Sequence, residues 1–400
     1  MQTEQSTENK PMSNDTLELT DQKVLNYAEG LLAAHLPLKA EGYGCSTQDL
    51  LNVLLGVAVN RGTIESVCAD LVSTPNPETI RHYFNEQLLV ADRPQLEQGL
   101  NAALAAQIPS RVKRSGCELA IDFHDRPYHG KTCQAEGLWV RSKAKDGTTR
   151  FYRVATAYVM LKHTRLTLAV RFVLPEEDTV AVLDDLLQHV RKTLRIRVKV
   201  LFLDRGFAAT PVMAHLTRWR QPAVVACPIR GKTGGTRALC QGQRSYRTRH
   251  TFRRQQPGEL TANVAVCRVY TSAQRTGRHP RKADWMVFVL IRLNWRPQLA
   301  RRQYRRRFGI ESSYRCAGQV RGWTTSPNPA YRFVLIGLSF VLLNAWVHLR
   351  GLFTQVPRRG RRWLDTKRFQ LNRLVKFIIR ALERHYGCPH DIMALATPRV

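Results

Sequence analysis

The chain has 400 residues, 44% of them hydrophobic, with 62 Lys+Arg against 31 Asp+Glu and a formal net charge of +31. That length predicts about two or three domains with a sizeable core, and the charge points to a polyanionic partner, nucleic acid first. A basic ribosomal or structural protein fits poorly with this length and apolar content.

Residues 1–17 are polar, lack the apolar core of a signal peptide, and read as a disordered tail. Residues 18–110 read as a helical domain. Residues 1–110 hold 6 Lys+Arg against 14 Asp+Glu, so the positive excess lies entirely in 111–400. Thr20 can cap a helix with Val24, Leu25, Ala28, Leu31 and Leu32 on one face, and Ser46 can cap a second with Leu50, Leu51, Leu54, Leu55 and Ala58. Two short helices follow, Ile64 to Leu71 and Glu78 to Leu89, separated by Ser73-Thr-Pro-Asn-Pro77. They have the size of a helix-turn-helix with Arg81, His82, Tyr83 and Asn85 facing DNA. A small helical bundle that packs or dimerises fits the acidic balance equally well.

Residues 111–229 change rhythm. Three strands (118–123, 151–161, 166–174) precede an amphipathic helix (176–194), a strand (197–203), a helix (210–219) and a strand (223–228). The long apolar fourth strand suits a sheet covered on both faces. Residues 230–295 read as a β-rich insertion with alternation in 262–270 and 285–293; Gly231-Lys-Thr233 lacks the full Walker spacing of a phosphate loop. Residues 296–350 return to helix. Phe333 to Leu349 is the most apolar stretch, shorter than a membrane span needs and interrupted by Asn344 and His348, so it reads as a buried core helix. Residues 351–400 form a basic C-terminal helical region with the run Arg358-Arg-Gly-Arg-Arg362 and a last amphipathic helix, 367–385. The nine cysteines contain no CxxC pair, which disfavours zinc and suits reduced cytosolic thiols.

Three acids stand out against the basic background. Asp122 lies in the apolar strand Leu119-Ala-Ile-Asp-Phe123, where an unpaired carboxylate is costly. Asp204 ends the strand before Arg205-Gly-Phe207. Glu311 interrupts the cationic helix Tyr304-Arg-Arg-Arg-Phe-Gly-Ile-Glu311. If the first and fourth strands are neighbours, the sheet brings the two aspartates together, and Glu311 arrives from the later helix. Three hard carboxylates suit two Mg²⁺ ions about 4 Å apart, which activate an oxygen nucleophile and stabilise a leaving oxyanion. Spacings of three and four place Tyr304, Arg307 and Glu311 on one helical face. The competing readings are a turn residue for Asp204 and a surface glutamate for Glu311. Asp125 is the rival of Asp122, read as just past the strand, and His124 and His129 are nitrogen donors less suited to Mg²⁺.

These motifs resemble the DDE transposases of bacterial and archaeal insertion sequences, within the RNase H-like fold shared with retroviral integrases. The nearest pattern is the subgroup signature Y-x2-R-x3-E-x6-K. Tyr304, Arg307 and Glu311 fit its first three positions, while Ala-Ile-Asp122 and Leu-Asp204-Arg-Gly-Phe match the two aspartate motifs. The resemblance spans roughly residues 20 to 350. It implies an α/β fold with an RNase H-like mixed sheet flanked by helices, an N-terminal helical domain and a β-rich insertion before the third acid. It implies Asp122, Asp204 and Glu311 as catalytic metal ligands for two Mg²⁺ ions, with Mn²⁺ as a substitute. The implied partners are double-stranded DNA, as terminal repeats and target, and a second copy of the chain in a homodimer on DNA; no membrane is implied. The setting is the prokaryotic cytoplasm, and the movement cut-and-paste, with a hairpin intermediate as one route. The signature lysine would fall at Gly318, so Arg315, a turn after Glu311, or Arg321 would supply the cation. Trp323 and Tyr314 are candidates for stacking on exposed bases or for core packing. The alternatives in function are a non-catalytic DNA-binding regulator and a nuclease of the same fold that never joins strands.

Overall fold

The computed structural model describes residues 18–131, 137–161, 164–232, 234–270, 283–356 and 363–389. The tail 1–17, Cys133, Thr233 and the basic run 358–362 lie outside the described residues. Among the described residues, six helices precede the main sheet: α1 Asp21–His35, α2 Thr47–Asn60, α3 Ile64–Asp70, α4 Pro77–Gln87, α5 Arg93–Ala106 and α6 Ser110–Ser115. Thr20 caps α1 by accepting from the Lys23 amide, and Ser46 forms a reciprocal capping box with Asp49 at α2, as the sequence predicts. Helix α5 lies within the stretch read as helical, with Leu96, Leu100 and Leu104 on its buried face, and α6 extends that stretch past residue 110.

Among the described residues, nine strands form one mixed sheet. Numbered along the chain they are β1 Cys117–Pro127, β2 Val140–Lys145, β3 Thr148–Leu161, β4 Thr164–Val173, β5 Val198–Leu203, β6 Ala223–Cys227, β7 Tyr246–Phe252, β8 Leu260–Tyr270 and β9 Ala283–Ile291. The order across the sheet is β2-β3-β1-β5-β6-β9-β8-β7, with β4 beside β2 on the outer edge of β3. Strand β1 pairs antiparallel with β3 and parallel with β5, and β5 pairs parallel with β6. The two crossovers carry α7 Thr179–Gln188 and α8 Thr210–Arg218. This is the RNase H-like arrangement, a mixed sheet flanked by helices. Strands β7 to β9 of the β-rich segment continue the same sheet, because β9 pairs antiparallel with β6.

Each face of the sheet has its own apolar cover. Val182, Leu183, Leu186 and Leu187 of α7, with Val212, Met213 and Leu216 of α8, close one face. Ala300, Tyr304 and Ile310 close the other, against Ala120, Phe202, Ala226 and Phe288. They come from α9 Pro297–Arg305 and α10 Gly309–Ala317. Helix α11 Pro329–Phe353 and helix α12 Leu371–Tyr386 share a third core with α1–α5. At 25 residues α11 is longer than its apolar centre suggests and long enough to cross a membrane, but most of its apolar window is buried within the protein.

Helices α1 and α5 approach closely at Gly99, where a Cβ would collide with the His35 carbonyl oxygen. A backbone atom cannot swing aside as a side-chain tip can. Gly99→Ala is expected to destabilise the fold by about 1–3 kcal/mol, the usual cost of overpacking, read as a lower urea midpoint with unchanged slope.

Candidate active site

The parallel pairing of β1 with β5 runs to Ile121 opposite Leu203. Asp122, the next residue of β1, and Asp204, the first residue after β5, follow that pair. They extend the face that carries Ala120 and Phe202, since side chains alternate along a strand. The sheet thus delivers both carboxylates to one face at its centre, under α9 and α10. Asp204 also starts a single 3₁₀ turn, its Oδ1 accepting from the Gly206 amide at 2.9 Å. It is therefore a turn residue as well as a candidate ligand.

Arg307 lies between the two aspartates. Its Nη2 is 2.8 Å from Asp122 Oδ1 and 4.0 Å from Asp204 Oδ2, and the residue is 5% exposed. Burial pushes the Asp122 carboxyl up to about 7 against the pull of Arg307, and the charges of Asp204 and Glu311 add to the push. Tyr304 packs on Phe288 with ring centroids 4.8 Å apart, and burial raises its hydroxyl to about 12. A cleft of about 230 Å³ opens beside them, lined by Asp204, Arg205, Ala226, Phe288, Tyr304 and Phe308.

The expectation of one continuous helix from Tyr304 to Glu311 is corrected. Helix α9 stops at Arg305, a 3₁₀ turn spans Arg306–Phe308, and α10 starts at Gly309. The tighter winding rotates Glu311 away from Arg307, so Arg307 binds Asp122 instead and Glu311 is exposed. Glu311 still faces the site closely enough for its charge to act on Asp122.

Asp125 also departs from expectation. It lies within β1, three residues from Asp122 and hence on the opposite face, where both its oxygens take Arg153 at 2.7 and 2.8 Å. His124 shares the Asp122 face and stacks on Tyr314 with centroids 4.4 Å apart; burial lowers it to about 3. Tyr314 is an internal residue: its hydroxyl is 2.6 Å from Thr156 Oγ1. His129 is exposed. Arg315 is exposed, with Ser312 Oγ at 3.4 Å. Arg321 is half-buried near Arg126 and Arg61, and is lowered to about 10 by burial and by those two cations. Open space surrounds Gly318, in the 3₁₀ turn that ends α10. Trp323 is 61% exposed, while its backbone amide donates to the Gly62 carbonyl at 2.8 Å.

The donor chemistry fits a hard divalent cation. Asp122 Oδ1 is taken by Arg307 and the Phe123 amide, and Oδ2 has no donor among the described residues. Mg²⁺ binds through one or two carboxylates, with water and substrate phosphate filling the remainder. Among the described residues no three His, Cys, Asp or Glu side chains form a ready metal cluster. What the chain offers is a two-carboxylate platform with Glu311 at its rim. The partnership of Arg307 with Asp122, the part played by Arg205 and Phe308 in the cleft, and the Thr156–Tyr314 bond were not legible in the sequence. Only the Arg-Gly-Phe after Asp204 hinted at the cleft wall.

Residues 113–335 match the family described as the transposase DDE domain. No curated protein matches the chain. Among solved structures, the chain is similar to the protein in a cryo-EM structure of a piggyBac transposase synaptic complex with hairpin DNA. That likeness has a TM-score of 0.55 at 10% identity, covering 92% of this chain and 77% of that one. It supports the fold, and the family match spans more than half of the sequence, both aspartates and Glu311. The chain belongs to the transposase DDE domain family.

Proposed function

We propose that the protein cuts DNA at the ends of an insertion sequence and joins the freed ends to target DNA, as a homodimer in the prokaryotic cytoplasm. The observation that carries this reading is the pair of carboxylates side by side on two neighbouring parallel strands, Asp122 within β1 and Asp204 just past β5, bridged by one buried arginine. Asp122 and Asp204 would hold Mg²⁺ or Mn²⁺, with Glu311 and the scissile phosphate completing the set. When bound, such ions activate the attacking oxygen and neutralise the leaving one. Arg307 balances the charge of the aspartates and holds the Asp122 carboxylate in place. Tyr304 holds the Arg307 segment against the sheet through Phe288. Arg315, Arg321 and Trp323 flank the exit from α10 and would meet DNA backbone or an unstacked base.

The test is incubation with the DNA flanking the protein's own gene, plus a target plasmid, with Mg²⁺ or with chelator. The expected products are cuts at the element ends and joined plasmid molecules, both lost with chelator. Cutting without joining would favour a nuclease of the same fold, and binding without cutting a DNA-binding regulator.

A further inference from the structure

We infer that a second groove, on the same face of the sheet as the carboxylates, holds the sugar-phosphate backbone of the bound DNA a few nucleotides from the cut. The inference rests on the transposase reading above. The groove encloses about 440 Å³ between the β8 edge, at Cys267 and Arg268, and helix α9. Gln298, Arg301, Arg302 and Arg305 line it. At about 100° per residue these four side chains fall in one stripe about 100° wide, with the sheet-facing Ala300 and Tyr304 about 60° or more beyond its near edge.

The stripe is cationic and unneutralised. Helix α9, Pro297–Arg305, contains no acidic residue. Among the described residues none of its three groove arginines makes an ion pair, whereas the neighbouring Arg306 is bound to Glu118 and to the Met160 carbonyl. The Nε of Arg301 is buried with no hydrogen-bond partner among the described residues. A buried donor left without an acceptor is unfavourable. Three guanidinium groups without a carboxylate suit phosphate oxygens, which they bind through paired N–H donors.

The position gives the spacing. From β5, whose last residue Leu203 precedes Asp204, the sheet runs through β6 and β9 to β8. Three inter-strand steps of about 4.8 Å put the groove roughly 14 Å from the carboxylates. At about 3.4 Å of rise per nucleotide, that is about four nucleotides along one strand. The groove would then fix the register of the DNA on the sheet, and with it the phosphate that reaches Asp204.

The experiment uses the full chain and a short heterologous duplex, because binding to phosphate is independent of sequence. Affinity is measured across a salt series for wild type, for the triple variant Arg301→Ala, Arg302→Ala, Arg305→Ala, and for the matching triple Lys variant, with circular dichroism confirming each fold. Each phosphate that a variant no longer neutralises should reduce the slope of log K against log salt by about 0.9. The Ala variant is expected to drop by about two to three in slope and at least about tenfold in affinity at low salt, and the Lys variant to keep most of both. An Ala-variant slope equal to wild type, or a Lys variant as weak as the Ala variant, would overturn the proposal. If the slope changes but no element end is ever cut, the transposase reading fails and the groove stands. If ends are cut with the slope unchanged, the groove alone fails.

Discussion

Asp204→Asn is expected to abolish metal-dependent cleavage while leaving DNA binding nearly unchanged. The substitution keeps the size and the Oδ1 acceptor for the Gly206 amide, so the 3₁₀ turn after β5 survives. It removes one of the two negative charges that flank Arg307, and with it the hard anionic oxygen a divalent ion requires. Metal assistance is worth several kcal/mol of transition-state stabilisation, so the rate should fall at least about a thousandfold. Gel-based cleavage and equilibrium binding on the same duplex separate the two effects. Cleavage within about tenfold of wild type would remove Asp204 from the site, and a parallel loss of binding would make it a structural residue.

Arg307→Met should unfold or strongly destabilise the protein, and Asp122→Asn should restore much of that stability. Arg307 is 5% exposed and makes the close ion pair that offsets the burial of Asp122. Removing one member of a buried pair leaves the other charge uncompensated and costs about 3–5 kcal/mol. The double variant replaces the pair by a neutral amide and an apolar chain of similar reach, which such pairs tolerate well. The pH dependence has a definite sign. In the Arg307→Met protein Asp122 loses the interaction that lowers its pKa, so its folded value rises further above the unfolded one. A raised carboxyl pKa means the folded state binds the proton more tightly, so stability falls as pH rises from the unfolded value through the folded one. The single variant should therefore be least stable above about pH 7 and regain stability toward about pH 5. The double variant should lack that component. Urea unfolding on either side of that range, in chelator, measures both. A single variant as stable as wild type at about pH 8 would show that the Arg307–Asp122 pair carries no net stabilisation.

By itself the sequence determined the local elements and the identity of the acids. Thr20 and Ser46 announce their helices because a hydroxyl acceptor three residues before a free amide is a local interaction. Asp122 within β1 and Asp204 just past β5 stand out because a carboxylate in an apolar run must be compensated. Periodicity failed where winding changed, as at Arg306–Phe308, which a regular helical period cannot register. The tertiary structure alone decided partnership. It gave Arg307 to Asp122 rather than to Glu311, and Asp125 to Arg153 on the opposite face. It also joined the β-rich segment to the sheet and opened the arginine groove. Each of these depends on strand order and on side chains far apart along the chain, or on the one-residue difference that sends neighbours on a strand to opposite faces. Spacing along the chain carries no record of the first, and the second has meaning only once the sheet has two sides.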